Sequence, residues 1–433
     1  MSTAKIIIGD CVDVLGSWED NTVDAIVTDP PYGLGFMGKE FDKLGGPDAQ
    51  KAWHARWSAE AFRVLKPGGH VVAFGGQRTI HHLTVALEGV GFEVRDLFGW
   101  LNWQGFPKSS SLPLALDRHL GKLDDREVVG VGTSGEVHRV GLVGNEGSGF
   151  GGEYAITAPA TPEAEAAAGW GSALKPCLEP AIIVRKPPAD AEGRPLTLAA
   201  NWLLWGTGGL NIDATRHPYG CPSWPGAQDK PTGYPSGPGG KSHHYSSDKR
   251  SAEVRPDPWE ATALGRWPAN VYATPKPSRS EREAGCEGLP ATTAFEVTGR
   301  REGSAGMNSP RAGIRSGSST RPGAGHAIRN HHPTVKPWRL MAQLVKLVTP
   351  IGGTVVDPFC GSGSTAVAAV LSGYDVIGIE LDPDYAKIAQ ARVEWAIAER
   401  ERQTAQGDLF APALRPATTK AVQVALFDDE GGA

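Results

Sequence analysis

The sequence predicts an α/β chain whose parallel, doubly wound sheet is built from both ends, with a large irregular insert between them. Three observations predict it. Short apolar runs alternate with helical spacings over residues 1–118, and the same alternation returns from residue 340 onward. Residues 187–330 between them are dense in Gly, Pro, Ser and Arg, with little periodicity. Neither flank carries enough strands for a complete sheet, so the economical reading joins both into one.

Taken in order, Ile6-Ile7-Ile8 and Ala25-Ile26-Val27 are strand-like runs followed by acidic residues, Asp10 and Asp29. Residues 49–65 have helical spacing and stop at Pro67-Gly68-Gly69, which reads as a breaker. Strands are expected at 70–74, 93–101 and 181–184, while 121–171 is Gly- and Ala-rich with weak periodicity. A helix (338–349), a strand (354–357), a helix (363–372), a strand (375–380) and a helix (383–402) follow. The expected organisation is therefore a first half (1–120), an insert (121–171), a further strand of the same sheet (172–187), a second insert (188–330), the other half (331–402) and a flexible tail (403–433). An unpatterned stretch as long as the second insert is expected to be functional or partly disordered.

Hydrophobic residues make up 40% of the 433, enough for a real core, and no apolar run is long enough to span a bilayer. The first residues show no charged-then-apolar leader. The five cysteines, at 11, 177, 221, 286 and 360, form no C-x-x-C pair, which disfavours a disulfide framework and a zinc site. A cytoplasmic location is expected. The net charge of -5 does not suggest nucleic-acid binding, but residues 266–346 hold 13 Lys/Arg against 5 Asp/Glu. That local excess suits a phosphate-facing surface or a solvated basic loop equally well.

Two motifs carry chemistry. Thr354-Val355-Val356-Asp357-Pro358-Phe359-Cys360-Gly361-Ser362-Gly363-Ser364-Thr365 is a strand, a Gly-rich turn and a helix start, the arrangement that lets backbone approach a nucleotide-like ligand. About twenty residues on, a second strand ends in Ile379-Glu380-Leu381-Asp382, where an acid can accept both ribose hydroxyls. A dinucleotide site would want a third glycine, which is missing. In the other half, Asp29-Pro30-Pro31-Tyr32 follows a strand. Its prolines stiffen the turn and remove two N–H donors, leaving a carboxylate, carbonyls and an aromatic face for a planar substrate that carries an amino group. An ordinary turn with an exposed tyrosine is the bland alternative.

Together these motifs resemble the permuted, beta-type N6-adenine/N4-cytosine DNA methyltransferases, in a phage-type form, where the catalytic half precedes the cofactor half. Asp29, Pro30, Pro31 and Tyr32 match the family's catalytic motif, and Asp357, Phe359, Gly361, Ser362 and Gly363 its cofactor loop. Glu380, with Leu381 and Asp382, matches the ribose-binding strand end. His332-Pro333-Thr334-Val335-Lys336-Pro337 matches the start of the cofactor half, assigning Thr334 and Lys336 to cofactor binding. Gly9-Asp10-Cys11 places Asp10 and Cys11 near the cofactor's adenine. Gly105-Phe106-Pro107-Lys108-Ser109, Ala173-Leu174-Lys175-Pro176, Asn211-Ile212-Asp213 and Gly265-Arg266-Trp267-Pro268-Ala269-Asn270 look like phage-type members; Cys177 and Cys360 depart from the pattern.

The resemblance implies a Rossmann-like methyltransferase sheet and S-adenosylmethionine as cofactor. It implies methyl transfer to the N6 amino group of a flipped-out adenine in double-stranded DNA, as in restriction-modification systems, without a metal. The Asp-Pro-Pro-Tyr form favours adenine; N4-cytosine on the same fold and a catalytically inactive DNA-binding module are the alternatives. A second copy of the chain, as a homodimer, is a further expected partner. In the tail, Gln406-Gly407-Asp408-Leu409-Phe410 and Gln423-Val424-Ala425-Leu426-Phe427 repeat Gln-x-x-Leu-Phe. Each Leu-Phe pair either packs back on the chain's own sheet or docks, peptide-like, on a bacterial sliding clamp.

Overall fold

Strands that will be covered on both faces read as unbroken apolar runs, because neither side of the pleat meets water. A computed structural model describes residues 3–35, 40–105, 109–133, 153–217, 267–292 and 328–406. Its elements run β1 (Ala4–Ile8), α1 (Cys11–Gly16), β2 (Val23–Thr28), α2 (Pro47–Val64), β3 (Leu65–Phe74), α3 (Ile80–Val90) and β4 (Glu93–Leu101). Then come α4 (Leu112–His119), β5 (Val128–Thr133), β6 (Glu153–Thr157), α5 (Pro162–Ala166), β7 (Leu178–Arg185), α6 (Leu198–Trp205), β8 (Val271–Ala273) and α7 (Arg279–Glu283). The chain closes with α8 (Trp338–Val348), β9 (Thr354–Asp357), α9 (Ser364–Ser372), β10 (Asp375–Glu380) and α10 (Pro383–Ala405).

One sheet takes the strand order β1-β10-β9-β2-β3-β7-β4-β8. The expectation that both ends of the chain share a sheet holds: β2 pairs with β9 in parallel, Ala25 opposite Val355 and Ile26 opposite Val356. Successive residues face opposite sides. Val27, Val72 and Phe74 pack with Leu340, Leu344, Val345, Val367 and Val393 beneath α8, α9 and α10. Ile26, Val71 and Ala73 pack with Leu15, Trp57, Leu83 and Leu87 beneath α1, α2 and α3. The helices of each half of the chain thus cover opposite faces. From β9 the chain winds outward to β10, and from β2 outward the other way to β3, so the winding reverses between β9 and β2. Crevices for ligands open at the carboxyl ends of strands at such a point.

The structure corrects the expectation in three places. The sheet is not wholly parallel, since β7 runs antiparallel to both β3 and β4. The second insert is not all outside the sheet: β8 extends it beside β4, Gly99 opposite Val271. Three residues long, β8 is too short to show a period. Pro67-Gly68-Gly69 is not a break before the strand but a bulge within β3, whose register against β2 jumps between Val23–Leu65 and Ala25–His70. The bulge frees the Pro67 carbonyl, which accepts from Asn201 Nδ2 at 3.0 Å and Thr207 Oγ1 at 2.5 Å, anchoring α6. The paired strands β5 and β6, with α5, lie in the stretch that reads as featureless. Arg311, Arg315 and Arg321, Phe106-Pro107-Lys108, Cys221 and nearly all of the tail's two Gln-x-x-Leu-Phe segments lie outside the described residues.

Gly68 adopts φ +80°, and a Cβ there would strike the Asn201 amide and lie 3.1 Å from Gly208 Cα. Gly68→Ala is expected to destabilise the protein by about 1–3 kcal/mol in urea unfolding. Gly89→Ala, on α3 with open space around its Cβ, should instead be neutral or stabilise by up to about 1 kcal/mol.

Candidate active site

β2 delivers the chain to the carboxyl edge at Thr28, after which the two prolines hold Asp29 and Tyr32 in one turn. The Tyr32 hydroxyl donates to Asp29 Oδ1 at 2.8 Å. Lys336, from the segment before α8, donates to Asp29 Oδ2 at 2.5 Å and to Tyr32 Oη at 3.0 Å. Its side chain is only 5% exposed. The rings of Phe74, Tyr32 and Trp100 stand 4.9, 5.3 and 6.0 Å from its Nζ. Burial works against the Lys336 charge, but Asp29 and Glu179 outweigh it and hold the ammonium above its ordinary range. Burial pushes the Asp29 carboxyl up, with Lys336 pulling it back. Burial, with the Asp29 and Glu179 charges, keeps the Tyr32 phenol protonated.

The Gly-rich turn leaves β9 at Asp357, which is buried beside β2. Its Oδ1 accepts from Thr28 Oγ1 at 2.6 Å and from the Phe359 amide at 3.1 Å. Phe359 lies 5.4 Å, ring to ring, from both Trp53 and Trp57 of α2. Gly361 turns at φ +53°, where a Cβ would come within 2.8 Å of His332 Nε2. Its amide donates to Glu380 Oε2 at 2.6 Å, and the Asp382 amide donates to Oε1 at 2.9 Å. The carboxylate is thus aimed by backbone, and lone pairs remain on both oxygens for a diol. Buried Arg392 of α10 donates to the Ser362 carbonyl at 2.6 Å, tying down the turn from below. Gly363, at φ +80°, caps α9. A turn that a Cβ would fill, beside a carboxylate oriented by its own amides, fits a nucleoside.

Of the other expected residues, Asp10 follows β1 and caps α1 through the Val12 amide at 2.8 Å. Cys11 is buried in the core, and burial together with Asp10 pushes its thiol up to about 12. Asp382 caps α10. Leu381 and Thr334 are exposed, and the Thr334 amide donates to His332 Nδ1 at 3.4 Å. Lys336 contacts Asp29 and Tyr32, so its direct partners belong to the catalytic motif. Sequence reasoning missed Glu179, whose Oε2 is 3.6 Å from Lys336 Nζ, and Asn102, whose Nδ2 is 3.4 Å from Glu179 Oε1. It also missed the roles of His332 and Arg392 beneath the turn. The one available signal for Glu179 was an acid opening an otherwise apolar strand.

A family model described as DNA methylase, of the N6/N4 type, matches residues 23–117 and 239–391. The chain is 33% identical over 107 residues to Type II methyltransferase M.HpaI of Haemophilus parainfluenzae, covering 24% of this chain and 34% of that protein. It is 38% identical over 66 residues to DNA adenine methyltransferase YhdJ of Escherichia coli, covering 15% and 22%. The chain spans between 22% and 38% of the length of the curated relatives it matches. Among solved structures, the PvuII DNA methyltransferase (cytosine-N4-specific) aligns over 94% of each chain at 14% identity, with a TM-score of 0.43.

Burial raises the Asp357 carboxyl to about 6, against the donors Thr28, Thr365 and the Phe359 amide. A carboxyl raised in the folded state leaves stability intact below its unfolded value, near 4, and lowers it as pH climbs through about 6. Asp357→Asn preserves the shape and the acceptor. Its thermal midpoint should match wild type near pH 4 and exceed it above pH 6, by the equivalent of at most about 3 kcal/mol. A pH-independent difference would contradict this account.

Proposed function

The chain belongs to the N6/N4 DNA methylase family, and from that premise we propose that it methylates the N6 amino group of adenine in double-stranded DNA, using S-adenosylmethionine. One observation carries the proposal. The crevice between β9 and β2 puts the Asp29 carboxylate and the Gly361–Glu380 pair at the same edge of one sheet.

Gly361, Ser362, Gly363 and Glu380 would hold the nucleoside part of the cofactor, with Asp10 and Phe359 toward its adenine. When bound, S-adenosylmethionine supplies an electrophilic sulfonium methyl. The chain's residues do the rest. An amino group inside a duplex cannot reach this edge, so the base must leave the stack. Its nitrogen is a weak nucleophile because the ring delocalises the lone pair. Asp29 and the Pro30 carbonyl accept the two amino hydrogens, favour a tetrahedral nitrogen and stabilise the positive charge that develops on it. Tyr32 packs against the base plane. Held in this geometry the nitrogen needs no strong base, because its acidity rises once the methyl group is on. Within the basic stretch, Lys336 is committed to Asp29 and Arg282 to the His332 carbonyl. We propose that other residues of that stretch, Arg311, Arg315 and Arg321 among them, supply the DNA-facing charge. Sliding-clamp docking through the tail and pairing with a second copy remain proposals of the same kind.

Asp29→Ala should lower methyl transfer at least about 100-fold while sparing cofactor affinity; Lys336 keeps Glu179 nearby, so the fold should survive. Glu380→Ala should weaken S-adenosylmethionine binding about tenfold in calorimetry, through lost ribose hydrogen bonds. Normal turnover in the first variant, or normal affinity in the second, would contradict the assignment. Nucleoside analysis of methylated DNA identifies the base: N6-methyladenine is expected, and N4-methylcytosine would replace the adenine reading.

A further inference from the structure

Each oxygen of Asp29 already accepts a hydrogen bond from a neighbouring side chain. Oδ1 accepts from the Tyr32 hydroxyl at 2.8 Å and Oδ2 from Lys336 at 2.5 Å. A substrate amino group that is to donate to this carboxylate must displace one of them or share its oxygen. Tyr32 is fixed by the same rigid turn as Asp29. Lys336 sits on a flexible four-carbon stem and has a second carboxylate within reach, for Glu179 Oε2 lies 3.6 Å from its Nζ. That distance is too long for a good hydrogen bond but needs less than an ångström of movement to become one. The antiparallel course of β7 makes this possible, because it brings the start of the strand to the edge where its neighbours end.

Glu179 is free to receive the ammonium. Among the described residues, its Oε1 has Asn102 Nδ2 at 3.4 Å and Lys276 Nζ at 4.0 Å. The rings of Phe74 and Trp100 stand 4.9 and 6.0 Å from the ammonium, Trp100 opposite Glu179 across β4 and β7, and attract a cation without trapping it. Buried Lys336 would be costly without a carboxylate beside it. Two carboxylates around one ammonium let it move while staying paired.

We propose that Lys336 is a transferable ammonium and Glu179 its receiving site. When the substrate's amino group reaches Asp29, Lys336 moves onto Glu179, which frees Asp29 Oδ2 without changing the charge of the pocket. No bond is made or broken in this step. Glu179 is therefore a positioning residue that acts through Lys336. The inference rests on the reading of Asp29 as the acceptor for the substrate's amino group.

The test uses the full chain, tritiated S-adenosylmethionine and DNA from a methylation-deficient Escherichia coli strain, under single-turnover conditions so that slow variants are read over hours. Glu179→Gln should lower transfer about tenfold, a coupling of ordinary size for contacting residues. Its cofactor affinity and thermal midpoint should be unchanged, and Glu179→Asp should recover most of the loss. In a Lys336→Gln background, Glu179→Gln should have no further effect, since there is no ammonium left to move. Wild-type rates in Glu179→Gln, or an equal further loss in the Lys336→Gln background, would overturn the relay while leaving the proposed function in place. A loss that tracks a lowered midpoint would also overturn it. An inert wild-type chain would overturn the proposed function and the relay with it.

Discussion

The pairing of β2 with β9 is the contact on which the rest of the structure depends. Ala25 and Ile26 lie opposite Val355 and Val356, and all four are fully buried. They join segments some three hundred residues apart. Neither segment covers both faces of its own strands: α1, α2 and α3 lie on one face of the joint sheet, while α8, α9 and α10 lie on the other. Burial on both faces is therefore complete only when the halves meet. Asp29 and Asp357 stand at the ends of these two strands, so the site assembles in the same event as the core.

Parallel strands gather their carboxyl ends along one edge, and this chain places Asp10, Asp29, Asp357 and Glu380 there. The antiparallel β7 adds Glu179. Each acid is handled by different means. Asp10 caps a helix. Asp357 is held by a hydroxyl and an amide, and burial raises it to about 6. Glu380 is aimed by the amides of Gly361 and Asp382. Asp29 alone depends on a buried ammonium. An acceptor fixed by backbone suits a ligand that must be held, whereas one paired with a side chain can be uncovered when a substrate arrives.

The segments that interrupt the two halves are also bound into the site. β8 extends the sheet, and α7 braces the approach to α8: Glu281 accepts from the Trp338 amide at 2.9 Å, and Arg282 donates to the His332 carbonyl at 2.8 Å. His332 in turn underlies Gly361. Burial, with the charge of Arg282 and other nearby cations, lowers its imidazole to about 3, so it serves as a neutral support for the turn. Residues from the nominal insert therefore brace the segment that carries His332 and leads into α8.

By itself the sequence determined what is local. Apolar runs marked β2, β9 and β10, because a doubly covered strand has no polar face to break the run; β1, at the sheet edge with Lys5 and Ile8 exposed, was marked by its three isoleucines alone. The helices after residue 338 were legible from their spacing, and the two short motifs disclosed both ends of the site, because a stiff proline turn and a glycine turn are written in consecutive residues. The antiparallel direction of β7, the short β8 and the bulge at Gly68 were decided only by tertiary structure. Each depends on which neighbour supplies hydrogen bonds, and a three-residue strand has no period to read. Lys336 was legible as part of a motif, yet its contact with Asp29 spans 307 positions. Glu179 belonged to no motif. Its place beside Lys336 follows from strand direction and sheet order, which arise from packing between distant segments and leave no mark in the residues on either side of it.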